Sequence, residues 1–128
     1  TYGDVTHEVV SELMRQVEAA KTDGIAAHRI VIDPGFGFAK DAEQNWELLR
    51  NLSAFTELPH RVLVGVSRKR FLAATVSADA PVEARDMATH AISVYCATKK
   101  AWAVRVHDVA GTVAALKVAT ELMGDRHV

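Results

Sequence analysis

Three short β-branched runs, at residues 29–32, 61–66 and 102–106, are flanked by segments whose apolar residues recur at helical spacing. No other feature constrains the fold as tightly. Strands that alternate with helices pair in parallel through right-handed crossovers. In sheets of that kind, ligands bind where the strands end at their carboxyl side. All three runs end in chemistry-bearing residues. The first leads into Asp33-Pro34-Gly35, the second into Gly65-Val66-Ser67-Arg68-Lys69-Arg70-Phe71, and the third into His107-Asp108.

The helical segments carry their own boundary signals. Val10, Leu13, Met14 and Val17 give a first helix one apolar face, with Asp4 or Thr6 as its cap. Lys21 lies in its last turn and Gly24 ends it. Asp41 and Gln44 have the spacing of a capping box. Trp46, Leu48, Leu49, Leu52 and Phe55 supply the buried face of the helix that follows, which Pro59 stops. Residues 69–74 are expected to form a helical turn or two. Pro81 suits the first turn of a long helix to about Lys100, with Met87, Ala91, Val94 and Tyr95 on one side. Asp108 caps a last helix, 109–122, which Gly124 ends. Three strands make a poor domain, because a parallel sheet needs both faces covered. A closed (β/α) barrel takes eight strands and typically about 250 residues. At 128 residues, the chain is expected to be part of something larger.

Composition bounds the partners. The chain is 49% hydrophobic with a net charge of −1, so it lacks the basic footprint of a nucleic-acid binder. Its one cysteine, Cys96, cannot form an internal disulfide, and CxxC-type metal motifs are absent. That usage points to a cytoplasmic protein. No apolar run approaches the roughly 18 residues needed to span a bilayer, and no signal peptide is evident, so no membrane partner is expected.

Alternate residues of a strand share a face. Arg105 and His107 therefore point the same way, and two potential cations at one strand end make an anion site plausible. The plainer reading is that Arg105 pairs with a structural carboxylate and that His107 is a satisfied core histidine. Leu63, Gly65 and Ser67 form the corresponding face of the second run. Gly65 leaves room there for a flat ligand, or marks a bulge or tight packing. Asp33 can accept two parallel hydrogen bonds from a planar amidine-like group, or simply cap its loop. Phe36 and Phe38 flank Gly37 and either pack on an aromatic substrate or cover the sheet end. Lys40 reads as a solvated charge. No nucleophile stands beside a base, so covalent catalysis is not indicated.

Residues 33–40, 65–71 and 105–109 resemble three signature stretches of the dihydropteroate synthases, and Tyr2-Gly3-Asp4-Val5 is similar to the lead-in of one of that family's helices. The likeness runs from about Tyr2 to Leu122, with the motifs in order and each after a strand. The resemblance implies a (β/α)₈ TIM barrel, with residues 1–128 as its C-terminal portion, about the last three strands and their helices. It implies condensation of 6-hydroxymethyl-7,8-dihydropterin pyrophosphate with p-aminobenzoate, giving 7,8-dihydropteroate and pyrophosphate in folate synthesis. By the same resemblance, Asp33 would hold the amino-pyrimidine edge of the pterin. Lys69 would bond the pterin carbonyl and border the p-aminobenzoate pocket, which Phe38 would line. Gly65 would belong to the pterin slot. Arg105 and His107 would bind the leaving pyrophosphate, with Arg105 also against the pterin ring.

Two departures from the family stand out. Many members have serine after the lysine, where this chain has Arg70, so the p-aminobenzoate carboxylate falls to Arg70, Ser67 or backbone N–H groups. The earlier strands, including an Asn linked to Mg²⁺, are not in this sequence. No metal ligand is expected within it, and the chain alone is expected to be an inactive, self-associating fragment of a homo-oligomeric enzyme. The competing readings are another pterin-binding barrel, such as a methyltetrahydrofolate methyltransferase, and a non-catalytic interaction fragment.

Overall fold

In the computed structural model, which describes residues 4–37 and 40–124, helices and strands alternate as the sequence predicts. Strands β1 (Val31–Ile32), β2 (Arg61–Val64) and β3 (Ala103–Val104) form one parallel sheet in that order. Val31 pairs with Arg61, and Leu63 pairs with Ala103. All three strands are shorter than the β-branched runs that hold them. Arg29, expected in the first strand, lies in a 3₁₀ turn, Ala27–Arg29, and spends its N–H on the Ala26 carbonyl at 2.9 Å. Trp102 and Arg105 flank β3 and still donate to the carbonyls of Val62 and Val64, each at 2.9 Å. The sheet's hydrogen bonding thus outlasts its regular geometry.

The helices are α1 (Asp4–Thr22), α2 (Ala42–Arg50), α3 (Ser53–Thr56), α4 (Asp86–Thr98) and α5 (Val109–Met123). Asp4 already lies within α1, so Thr6 is buried in the first turn instead of capping it. The capping box at α2 is present in full: Asp41 accepts from the Gln44 N–H at 2.8 Å and Gln44 accepts from the Asp41 N–H at 3.1 Å. The predicted single helix to Pro59 breaks after Arg50. Asn51 leaves helical geometry there, and its side chain donates to Thr6 of α1 at 3.1 Å. The segment after the second strand coils into a 3₁₀ helix, Arg70–Thr75, and Pro81 leads into another, Val82–Arg85, before α4 begins.

One side of the sheet is covered. Ile32, Val62 and Val64 bury themselves against Leu13 and Val17 of α1, Leu48 and Leu49 of α2, and Phe55, Ile92 and Cys96. The face of α4 differs from expectation. Met87 is 75% exposed and Ala91 is exposed, while Val94 and Tyr95 are half-buried. The buried stripe is Thr89, Ile92, Ser93 and Cys96. Its small polar members allow close approach: Thr89 satisfies its hydroxyl on the Arg85 carbonyl at 3.0 Å, and α4 packs chiefly against α5. A Cβ on Gly111 would lie 2.6 Å from the His90 ring, so only glycine fits that crossing. On the other side of the sheet, Val31 is exposed and Leu63 and Ala103 are half-buried.

Candidate functional site

Parallel strands bring their carboxyl ends together, and the three predicted motifs meet at that rim. Asp33 follows β1 directly. Its Oδ1 accepts from the Gly35 N–H at 2.9 Å, closing the Pro34-Gly35 turn, and its Oδ2 faces Arg105 Nη1 at 3.4 Å. Of the two uses considered for Asp33, loop capping is therefore present, and its second oxygen is turned toward Arg105. The Asp33–Arg105 pair is loose and open to water, with the arginine side chain 57% exposed. Such pairs contribute little to stability, which leaves the guanidinium available to another anion.

The pairing of β2 with β3 explains what sits opposite what. Leu63 is partnered with Ala103, and that offset of forty positions continues past the last ladder bond to Ser67 and His107. Gly65 consequently lies under Arg105. A Cβ there would come within 2.7 Å of the guanidinium carbon. The space left by Gly65 is occupied by the Arg105 side chain, which is the tight-packing alternative. Ser67 is buried, and its hydroxyl lies 2.8 Å from His107 Nδ1 and accepts the His107 backbone N–H at 3.1 Å. Of the sources left open for a carboxylate contact, the Ser67 hydroxyl is thus already engaged. His107 itself is exposed, not a core histidine.

The Arg68-Lys69-Arg70 triplet separates into three roles. Arg68 takes a left-handed backbone conformation, φ 59°. Its guanidinium grips Asp86 at the start of α4 with two 3.0 Å bonds, and Arg85 donates to its carbonyl at 2.9 Å. Those hydrogen bonds hold the Asp86 carboxyl below the ordinary carboxylate range. Lys69 turns the other way, and its Nζ donates to the Phe36 carbonyl. Burial pulls the Lys69 pKa down, the Arg105 charge adds to this, and Asp33 opposes it. Lys69 therefore senses both other strand ends. Arg70 is exposed and borders a cleft of ≈ 600 Å³ with Gly37, Lys40 and Lys69. Asp33 borders a different cleft, also ≈ 600 Å³, against α1, and Lys40 is common to both.

Phe36 is completely buried in the core and has no surface for a substrate. Phe38 lies outside the described residues. Lys40, expected to be solvated, is half-buried and donates to the Gly35 carbonyl at 3.1 Å. Burial lowers its pKa, and Asp33 partly restores it. Asn45 was missed altogether by sequence reasoning. It is 1% exposed, accepts from the Gly37 N–H at 2.8 Å and donates to the Asp41 carbonyl at 2.9 Å. A signal existed: Asn45 stands on the same face of α2 as Leu48 and Leu49, where a polar side chain must find buried partners. Among the described residues, no group of three or more His, Cys, Asp or Glu side chains could hold a metal ion. Nor is any described helix long and apolar enough to cross a membrane.

The chain is similar to several known proteins. The dihydropteroate synthase of Streptococcus pyogenes serotype M6 is 41% identical over 122 residues, covering 95% of this chain and 46% of the relative. The Mycobacterium leprae dihydropteroate synthase is 44% identical over 121 residues, covering 91% and 43%. The structure of the Xanthomonas albilineans dihydropteroate synthase in complex with 7,8-dihydropteroate superposes with a TM-score of 0.90 at 39% identity, over 97% of this chain and 47% of that one. The chain spans about half the length of the curated relatives it matches. The fold is accordingly a partial (β/α)₈ barrel. Residues 1–107 match the family described as Pterin binding enzyme, and the chain belongs to that family.

Proposed function

We propose that this chain supplies one side of a dihydropteroate synthase active site, joining a pterin carried as its pyrophosphate ester to p-aminobenzoate. The observation that carries the reading is the convergence of Asp33, Lys69 and Arg105 from three different strand ends, with Asp33 and Arg105 3.4 Å apart. An acid beside two cations suits a substrate with an amidine-like edge at one end and a polyanion at the other. The relatives' names and the dihydropteroate complex support the same chemistry.

In this reading Asp33 accepts from the amino-pyrimidine edge of the pterin. Lys69 donates to the pterin carbonyl, and its half-buried position lets it border the p-aminobenzoate side as well. Arg105, lying over Gly65 and across the pterin ring, donates to the pyrophosphate together with His107. Arg70 and Phe38 belong to the p-aminobenzoate end. As the carbon–oxygen bond to pyrophosphate breaks, charge grows on the departing oxygens, and the Arg105 and His107 donors stabilise it. The p-aminobenzoate nitrogen forms the new bond to the same carbon and loses a proton. Positioning and electrostatics suffice; contrary to the expectation from sequence, one hydroxyl does stand beside a histidine, Ser67 at 2.8 Å from His107 Nδ1, but Ser67 is buried and serves to hold the ring. Mg²⁺, if the complete enzyme uses it, would be held by residues outside this chain. The whole enzyme is read as a cytoplasmic homo-oligomer.

The test is Arg105→Ala in the complete enzyme. Calorimetry with inorganic pyrophosphate should show binding weakened by about 1.5–3 kcal/mol, the span for charged hydrogen bonds. The lower half of that span is expected, because the side chain is more than half exposed. Unchanged affinity would remove Arg105 from the anion site.

A further inference from the structure

The Ser67–His107 contact contains more information than its distance. The Ser67 oxygen accepts the backbone N–H of His107 at 3.1 Å and lies 2.8 Å from Nδ1 of the same residue. The serine is only 7% exposed. A hydroxyl has one hydrogen to give and two lone pairs. If Nδ1 carried a proton, the ring N–H and the backbone N–H would both be donated to the serine oxygen, and among the described residues no further hydrogen-bond partner would take the serine's own hydrogen. An unmade buried bond of that kind is costly. If Nδ1 is bare, the serine hydrogen points at it and every group in the cluster is satisfied. We infer that Ser67 is a positioning residue that fixes His107 in the tautomer with the proton on Nε2.

The consequence lies at the rim. His107 is exposed, and in this tautomer its second nitrogen is a donor even when the ring is neutral. An Nε2–H gives a hydrogen bond to an anion without needing the imidazole to be charged, whereas a bare Nε2 would turn a lone pair toward the anion. The backbone bond from His107 to the same serine oxygen fixes the Cα end of the residue, so ring and main chain are held from one point. This rests on the pyrophosphate role proposed above for His107, and it adds a residue to that role which touches no substrate itself.

Long-range ¹H–¹⁵N correlation spectra of the histidine-labelled complete enzyme test it, at about pH 8, above the ordinary histidine range. His107→Gln identifies the His107 signals among those of the other histidines. The wild-type enzyme should show a bare, pyridine-type Nδ1 and a protonated Nε2 at His107. Ser67→Ala should average the two nitrogens and weaken inorganic pyrophosphate binding roughly 2- to 10-fold, the span of one neutral hydrogen bond. Ser67→Thr, which keeps the hydroxyl, should restore the locked pattern. A protonated Nδ1 in the wild type overturns the inference and needs no variant to fold. So does a locked tautomer that persists in Ser67→Ala. A locked wild-type ring whose Nε2 signal ignores pyrophosphate would sink the anion role and still bear out the serine's hold on the ring.

Discussion

Asp33 holds its loop with one oxygen and faces the rim with the other. Changing it to asparagine should therefore separate the two duties. Asparagine can keep the Oδ1 bond to the Gly35 N–H, but it replaces the second acceptor with a donor group. Facing a donor edge, that group loses a bond and sets like against like. Asp33→Asn in the complete enzyme is expected to weaken binding of a pterin analogue by about 1.5–3 kcal/mol while sparing p-aminobenzoate; equal pterin affinity by calorimetry would make Asp33 purely structural. Cys96 presents the opposite case, a reactive group made inert. It is fully buried, and burial pushes its thiol up to about 12. Only the thiolate reacts with alkylating agents, so iodoacetamide should label Cys96 in denaturant and leave the native chain unmodified near pH 8. Rapid native labelling would mean that α4 opens locally. The sequence made Asp33, Lys69, Arg105 and His107 legible because each falls at or just beyond the end of a β-branched run. Lys40, Asn45 and the buried Phe36 were not legible, since their roles depend on how the Pro34–Gly37 turn folds back onto α2.

That turn is an element in its own right, and it docks against the start of α2 through Asn45. Gly37 has φ 87°, and a Cβ there would approach the Lys69 side chain to 2.8 Å. Both facts require glycine where the chain passes the lysine. Asn45 then ties the Gly37 N–H to α2 from within the core. Asn45→Ala removes an acceptor and a donor at a site 1% exposed and should lower stability by about 1–3 kcal/mol, read as a shift in the denaturant midpoint at constant slope. An unmoved midpoint would show that Gly37 finds water as readily as it finds Asn45. The same contrast governs what could be read of the elements. The capping box was readable because its partners are three residues apart. Strand lengths and the break after Arg50 were not, because they depend on distant partners: β2 for the strands, and Thr6 for Asn51. The buried stripe of α4 escaped as well. Apolar periodicity favoured Met87 and Ala91, whereas the buried stripe includes Thr89 and Ser93, and Thr89 can be buried because its hydroxyl turns back onto the Arg85 carbonyl.

At the scale of the whole molecule, half of what a parallel sheet needs is present. Helices cover the Ile32, Val62 and Val64 side, while Val31 on the opposite face is exposed and Leu63 and Ala103 are only half-buried. Among the described residues, the order β1-β2-β3 leaves β1 and β3 each with one unpaired edge, and open edges invite pairing with another chain. Further apolar surface lies outside the sheet: Trp102 beside β3, and Val109, Val113, Val118 and Leu122 along α5, with Leu122 81% exposed. Each large apolar side chain left in water forgoes roughly 1.5–3 kcal/mol, against a total folded stability of about 5–15 kcal/mol. A few such exposures remove a large share of that total. The 128-residue chain by itself should therefore associate, most simply as a two-fold dimer that covers these surfaces with its own copy. It should also show no synthase turnover, because only one side of the proposed site is present. Light scattering at low micromolar concentration decides the first point, and assay of the chain with pterin pyrophosphate and p-aminobenzoate decides the second. A sharp monomer with a cooperative melt would mean that the exposed face is covered by a rearrangement of the chain itself. The convergence of strand ends at the rim would then have to be reconsidered along with it.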